Sequence, residues 1–117
     1  MIKTITIAAL ALGSAFTAHA ALNTSVRLVE QQMAQEEEGQ IYQRPIAGIE
    51  NKEWFNYRVN VLESKKELKS DLNDASDVED LRDAWDEYRN ELHDNRYHYT
   101  KVMAKRGYRE PTVQVVD

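Results

Sequence analysis

Apolar residues return every three or four positions in three segments of this chain, the period of an α-helix. The first segment begins at Asn23 or Thr24 and runs to about Glu38. Leu22, Val26, Val29 and Met33 lie 4, 3 and 4 residues apart there, a single narrow stripe, and Gly39 stands where a C-cap belongs. Gln40 to Gly48, which holds Pro45, reads as a connector. A second helix, about 50–72, is expected to bury Trp54, Phe55, Val61, Leu62, Leu68 and Leu72 on one face, with Lys65, Lys66 and Lys69 complementing the dipole of its last turns. Asn73-Asp74-Ala75 reads as a short turn. Ser76 followed by Glu79 fits a capping box, in which the Ser oxygen accepts from a free first-turn amide and the Glu returns to the cap amide.

The third helix, about 77–106, carries Val78, Leu81, Trp85, Tyr88, Leu92, Asn95, Tyr99 and Val102 in alternating steps of 3 and 4 and ends at Lys105, Arg106 and Gly107. A turn this short forces the second and third helices to lie antiparallel. The expected fold is therefore all-α, a long antiparallel hairpin with a shorter N-terminal helix on or near it and an extended or disordered tail over 108–117. Centring the turn on Asp74 places Trp54 near Leu92 to Arg96, and Trp85 near Val61 and Leu62.

The first twenty residues are a different kind of segment. Lys3 precedes a twelve-residue apolar run, Ile5 to Phe16, and Ala18-His19-Ala20 offers small residues at both positions read by a signal peptidase. This predicts a signal peptide over 1–20, export to the periplasm or outright secretion, and one small domain over 21–117. The run is shorter than the roughly 20 residues needed to span a bilayer, so no membrane insertion is expected after cleavage. Loss of the signal, with one Lys and no acid, takes the net charge from −5 to −6, which disfavours nucleic acid and anionic membrane as partners. The sequence contains no Cys, which excludes disulfides, a thiol nucleophile and lipidation at the cleavage site, and leaves stability to packing.

Three constellations carry candidate chemistry. Trp54-x-x-Tyr57-Arg58 recurs as Trp85-x-x-Tyr88-Arg89, thirty-one residues on, and reads as two aromatic anchors that pack the hairpin or meet a partner. Arg82, Arg89 and Arg96 repeat every seven residues along one flank of the third helix and read as solvated charges bridging to nearby acids, for example Arg82 to Asp86. Asp80, Asp83, Glu87, Glu91 and Asp94 form an acidic ridge that is either neutralised near its start by Lys65, Lys66 and Lys69 or open to divalent cations. Asp71 to Arg82 fails as a calcium loop, since it lacks Gly at its sixth and Glu at its twelfth position. His93 and His98 are five apart and do not share a helix face, so no metal site is expected from them, and no motif calls for a cofactor.

Neither a Ser-His-Asp arrangement, a glycine-rich phosphate loop nor an HExxH helix is present. The sequence thus points to a non-enzymatic accessory protein that binds a protein partner, or a second copy as a homodimer, through an amphipathic helical surface.

Overall fold

The computed structural model describes residues 28–109, and the proposed signal peptide, residues 23–27 of the expected first helix and the tail from 110 lie outside them. Among the described residues the secondary structure is helical throughout: α1 (Val29–Glu38), a single 3₁₀ turn (Ile46–Gly48), α2 (Lys52–Asp74) and α3 (Val78–Lys105). No helix among them is long and apolar enough to cross a membrane.

α2 starts where the Asn51 side chain accepts from the Trp54 amide at 3.0 Å. It continues through Asp74, so the turn falls at Ala75 to Asp77, later than expected. The cap of α3 moves with it. Asp77, not Ser76, is the N-cap, its Oδ1 accepting from the Asp80 amide at 2.8 Å. Asp80, not Glu79, is the returning acid: its Oδ2 accepts from the Ser76 amide at 3.1 Å and the Ser76 hydroxyl at 3.0 Å. These two bonds hold the Asp80 carboxyl below its ordinary range. α3 ends in a Schellman motif, in which Gly107, at φ +88°, lets its own amide reach the Ala104 carbonyl and that of Tyr108 the Met103 carbonyl.

α2 and α3 pack antiparallel, with Trp54 against Tyr99 and Asn51 donating to the Met103 sulfur at 3.3 Å. These partners lie about five or six residues further along α3 than a turn at Asp74 gives, a displacement that follows in part from the later turn. The buried stripe of α2 is Trp54, Tyr57, Val61, Ser64, Leu68 and Leu72. Phe55 and Leu62, expected inside, are exposed. Each adjoins a residue of the stripe, and neighbours on a helix point about 100° apart, so Trp54 and Val61 exclude them from the seam.

Along α3 the buried positions are Leu81, Ala84, Trp85, Tyr88, Leu92, Tyr99 and Met103. Asn95 and Val102 are only half-buried. A strict seven-residue repeat drifts about 20° per heptad on a straight helix, and over three heptads Met103 displaces Val102 from the interface.

α1 lies on α3 and runs in the same direction, Glu30 meeting Arg82 and Glu37 meeting Arg96. Its contact face is not the expected stripe. Val29 and Met33 are 63% and 41% exposed, while Ala34 is buried and Glu30, Glu37 and Glu38 turn toward α3. The connector is tied down by two tyrosine hydroxyls, Tyr57 accepting from the Tyr42 amide at 3.1 Å and Tyr99 from the buried Ile46 amide at 2.9 Å.

Candidate interaction surface

The repeated Trp-x-x-Tyr unit lies inside the molecule. Trp54, Tyr57, Trp85 and Tyr88 are all buried, so none presents a ring to a partner. Trp54 and Tyr57 join Tyr42 and Tyr99 in one aromatic cluster, in which the Tyr57 and Tyr99 rings stack with centroids 4.7 Å apart. Trp85 meets Tyr88 edge-on at 6.2 Å. The two tyrosines of the repeat do equivalent work, since Tyr57 holds the connector and Tyr88 donates to Glu38 Oε2 of α1 at 2.7 Å. Burial pushes both phenols above their ordinary range, and at Tyr88 the adjacent carboxylate adds to the effect.

Two arginines of the ladder reach across to another helix. Arg82 pairs with Glu30 at 3.0 Å and Arg96 with Glu37 at 2.8 Å, both across to α1, while Arg89 stays within its own helix in a long 3.5 Å contact to Asp86. Arg82 holds the Glu30 carboxyl below its ordinary range through their hydrogen bond. Glu30 sits in the first turn of α1, where the dipole favours it, whereas Glu37 and Glu38 sit in the last turn, where the dipole opposes them and the Arg96 guanidinium and the Tyr88 hydroxyl compensate.

The acidic ridge does not act as a unit. Asp80 is occupied in the cap of α3. Asp83 lines a shallow cleft with Glu30, Glu79, Arg82 and Asp86, and Asp94 lies beside His93 at 3.4 Å. Glu87 and Glu91 converge with Glu67 of α2, their carboxylate oxygens within 4.8 Å of one another. The Glu87 charge raises the Glu67 carboxyl above its ordinary range. Lys65, Lys66 and Lys69 do not neutralise this side. Among the described residues no lysine of α2 enters an ion pair, and Lys65, Lys66 and Lys69 point away from the side that holds Glu67.

That side is the feature missed in the sequence. Phe55, Val59 and Leu62 stand 4 and 3 residues apart, a single row on the outside of α2, and are 51%, 51% and 59% exposed. Lys52, Arg58, Lys65, Lys66 and Lys69, every cation of α2, fall around this row within an arc of about 140° at 3.6 residues per turn. Glu53, Glu63, Glu67, Asp71 and Asp74, every acid of the helix, fall within a separate arc of about 80°. Arg58 lies over the Trp54 ring, 5.7 Å from its centroid. Beside the row, Ile41, Tyr42 and Gln43 of the connector and Arg58, Leu62 and Lys65 of α2 border a cleft of about 110 Å³. Placing α2 on a helical wheel, with Trp54, Tyr57 and Val61 inward, makes the sorting of charge visible from sequence once the inward face is known.

No protein-family model matches this chain, no curated protein matches its sequence, and no solved structure matches its fold.

Proposed function

We propose that this protein is an exported, non-enzymatic helical binding or accessory protein of the cell envelope, and that it recognises a protein partner through the outer face of α2. The observation that carries this reading is the row Phe55, Val59 and Leu62, three large apolar side chains left in solvent on a helix whose inner face is already filled. Export and a periplasmic destination rest on Lys3, the apolar run after it and Ala18-His19-Ala20. A binding role rather than catalysis is supported by the use of the conspicuous polar groups: Arg82, Arg96, Tyr57, Tyr88 and Asp80 are engaged in holding the fold.

The test is capture from a periplasmic extract. Wild-type protein should retain a defined partner, and Phe55→Ser/Leu62→Ser should lose it with its thermal melt unchanged. Equal capture by both proteins would overturn the assignment to α2. Sedimentation of the purified protein checks self-association over the same row, the homodimer form of this reading.

A second reading, a divalent-cation-binding module, draws on the convergence of Glu67, Glu87 and Glu91, since hard cations take carboxylate oxygens. Calorimetric titration with Ca²⁺ and Mg²⁺ tests it. Heat of binding that disappears in Glu87→Gln would support it, and a featureless titration would remove it.

A further inference from the structure

We infer that the partner segment is itself an amphipathic helix of acidic character, laid along α2 with its apolar residues on Phe55, Val59 and Leu62 and its carboxylates against Lys65, Lys66 and Lys69. This rests on the binding role proposed above and adds the chemistry of the partner.

The positive charge on α2 is unspent among the described residues. Arg82, Arg89, Arg96 and Arg106, on α3 and at its end, all have carboxylate partners within this chain. Among the described residues the four lysines of α2 have none, although five acids stand on the same helix; Lys101 and Lys105 of α3 are also without one, but only on α2 do the cations gather around an exposed apolar row. The cations fall in one arc and the acids in another, no ion pair joins the two among the described residues, and the positive arc surrounds the exposed apolar row. A ligand matching both features has apolar side chains flanked by negative ones, the complement expected for a helix laid on a helix face.

Two other occupants fit less well. An anionic bilayer would meet the same lysines, but it is flat, whereas the row is bordered by the recess between Leu62 and the connector, which suits an inserted side chain. The whole chain also carries a net charge of −5, which opposes a charged plane more than it opposes a short segment within reach of only the local lysines. A second copy fits poorly in either orientation. Row against row sets lysine against lysine, and the acidic side, with Glu63, Glu67, Glu91 and Asp94 beside Asn60 and Asn95, offers no apolar side chain to the row.

The experiment uses two designed helical peptides of about 18 residues, roughly five turns, sharing one leucine stripe and flanked by glutamate in one and lysine in the other. Binding to purified protein is read by fluorescence anisotropy at low and physiological salt. The Leu/Glu peptide should bind at least about tenfold more tightly than the Leu/Lys peptide, and added salt should narrow the gap. Lys65→Glu/Lys66→Glu/Lys69→Glu should invert the preference, and Phe55→Ser/Leu62→Ser should weaken both peptides. Circular dichroism melts of each variant establish that it is folded. Binding of neither peptide, equal binding of both, or a preference unaffected by the charge reversal would each overturn the inference. So would lysine-dependent adsorption to phosphatidylglycerol vesicles in the absence of peptide binding, or lysine-dependent dimerisation.

Failure here is separable from failure of the binding role. Capture from extract that is lost in Phe55→Ser/Leu62→Ser but indifferent to lysine reversal keeps that role and rejects the acidic partner. Capture indifferent to both rejects the two together.

Discussion

The Tyr88 hydroxyl donates to Glu38 Oε2 at 2.7 Å, joining the second repeat of the aromatic motif to the last turn of the N-terminal helix. Tyr88 is 2% exposed, so the bond lies at the edge of the core rather than on the surface. Removing the hydroxyl leaves a half-buried carboxylate without this donor, the costly half of a hydrogen-bond deletion. Tyr88→Phe is expected to lower stability by about 1–3 kcal/mol and to raise amide exchange in α1 ahead of the hairpin. Hydrogen exchange followed by mass spectrometry checks this, and uniform exchange in α1 would show that the arginines alone hold it.

The same residue gives an alkaline dependence. Its pKa is raised in the folded protein above the ordinary value of 10.0, as is that of Tyr57, chiefly by burial. A raised folded pKa means that the protonated phenol is favoured by folding. Its contribution is fully present below pH 10 and is lost as the unfolded chain ionises above it. Denaturant midpoints should therefore fall from about pH 10 upward, and less steeply in Tyr88→Phe.

The turn between α2 and α3 separates two capping schemes that differ by one residue. With Asp77 accepting from the Asp80 amide, Asp77→Ala is expected to cost about 1 kcal/mol, and Ser76→Ala less, since the Ser76 hydroxyl only supplements a backbone bond to Asp80. Asp80 adds an acid dependence of definite sign. Its folded pKa is lowered, so its contribution is present above the unfolded value of 3.8 and lost as pH falls through the folded one. Urea titrations of the two variants near neutrality rank the caps, and a larger loss in Ser76→Ala would restore the scheme read from sequence.

The all-helical fold is legible in the chain because the long third helix keeps one consistent inner row, from Leu81 through Trp85, Tyr88 and Leu92 to Tyr99. The inner face of α2 is less so, since Trp54-Phe55 and Val61-Leu62 are adjacent apolar pairs and hydrophobicity does not say which member points inward. Tyr57 and Ser64 complete the stripe that decides it. α1 misleads for a different reason. Its packing face is Ala34 with three acids, held by guanidiniums and a phenol fifty or more residues away, and apolar periodicity selects the opposite side. The docking row follows the same logic, because Phe55 and Leu62 become surface residues only when the inner face has been fixed.

Glu67 offers a test of the uncompensated acidic side. Its carboxyl is raised first by Glu87, so its folded pKa exceeds the unfolded one, and its contribution is fully present below the unfolded value and lost as pH rises through the folded value. Glu87→Gln should bring the Glu67 titration back toward 4.5 and make the protein relatively more stable at neutral pH. Carbon-detected NMR titration of the glutamates reads the first effect and thermal melts at acid and neutral pH the second. A Glu67 midpoint indifferent to Glu87→Gln would mean that the three carboxylates do not meet in solution.

Trp85 and Phe55 set the core apart from the proposed docking face. Trp85 is 7% exposed and lies against Tyr88, so Trp85→Ala is expected to cost about 3–5 kcal/mol, a large share of the stability of a domain this size, and Trp85→Phe less. Phe55 is 51% exposed and outside the seam, and Phe55→Ser should change stability by no more than about 0.5 kcal/mol. Two aromatic residues, one in the repeated motif and one beside its other copy, would thus separate by function: one whose loss unfolds the hairpin, and one whose loss removes only the proposed contact with a partner. Chemical denaturation of the three variants beside wild type measures the separation. A large loss in Phe55→Ser would place that ring in the core and would withdraw the row on α2 as a free surface.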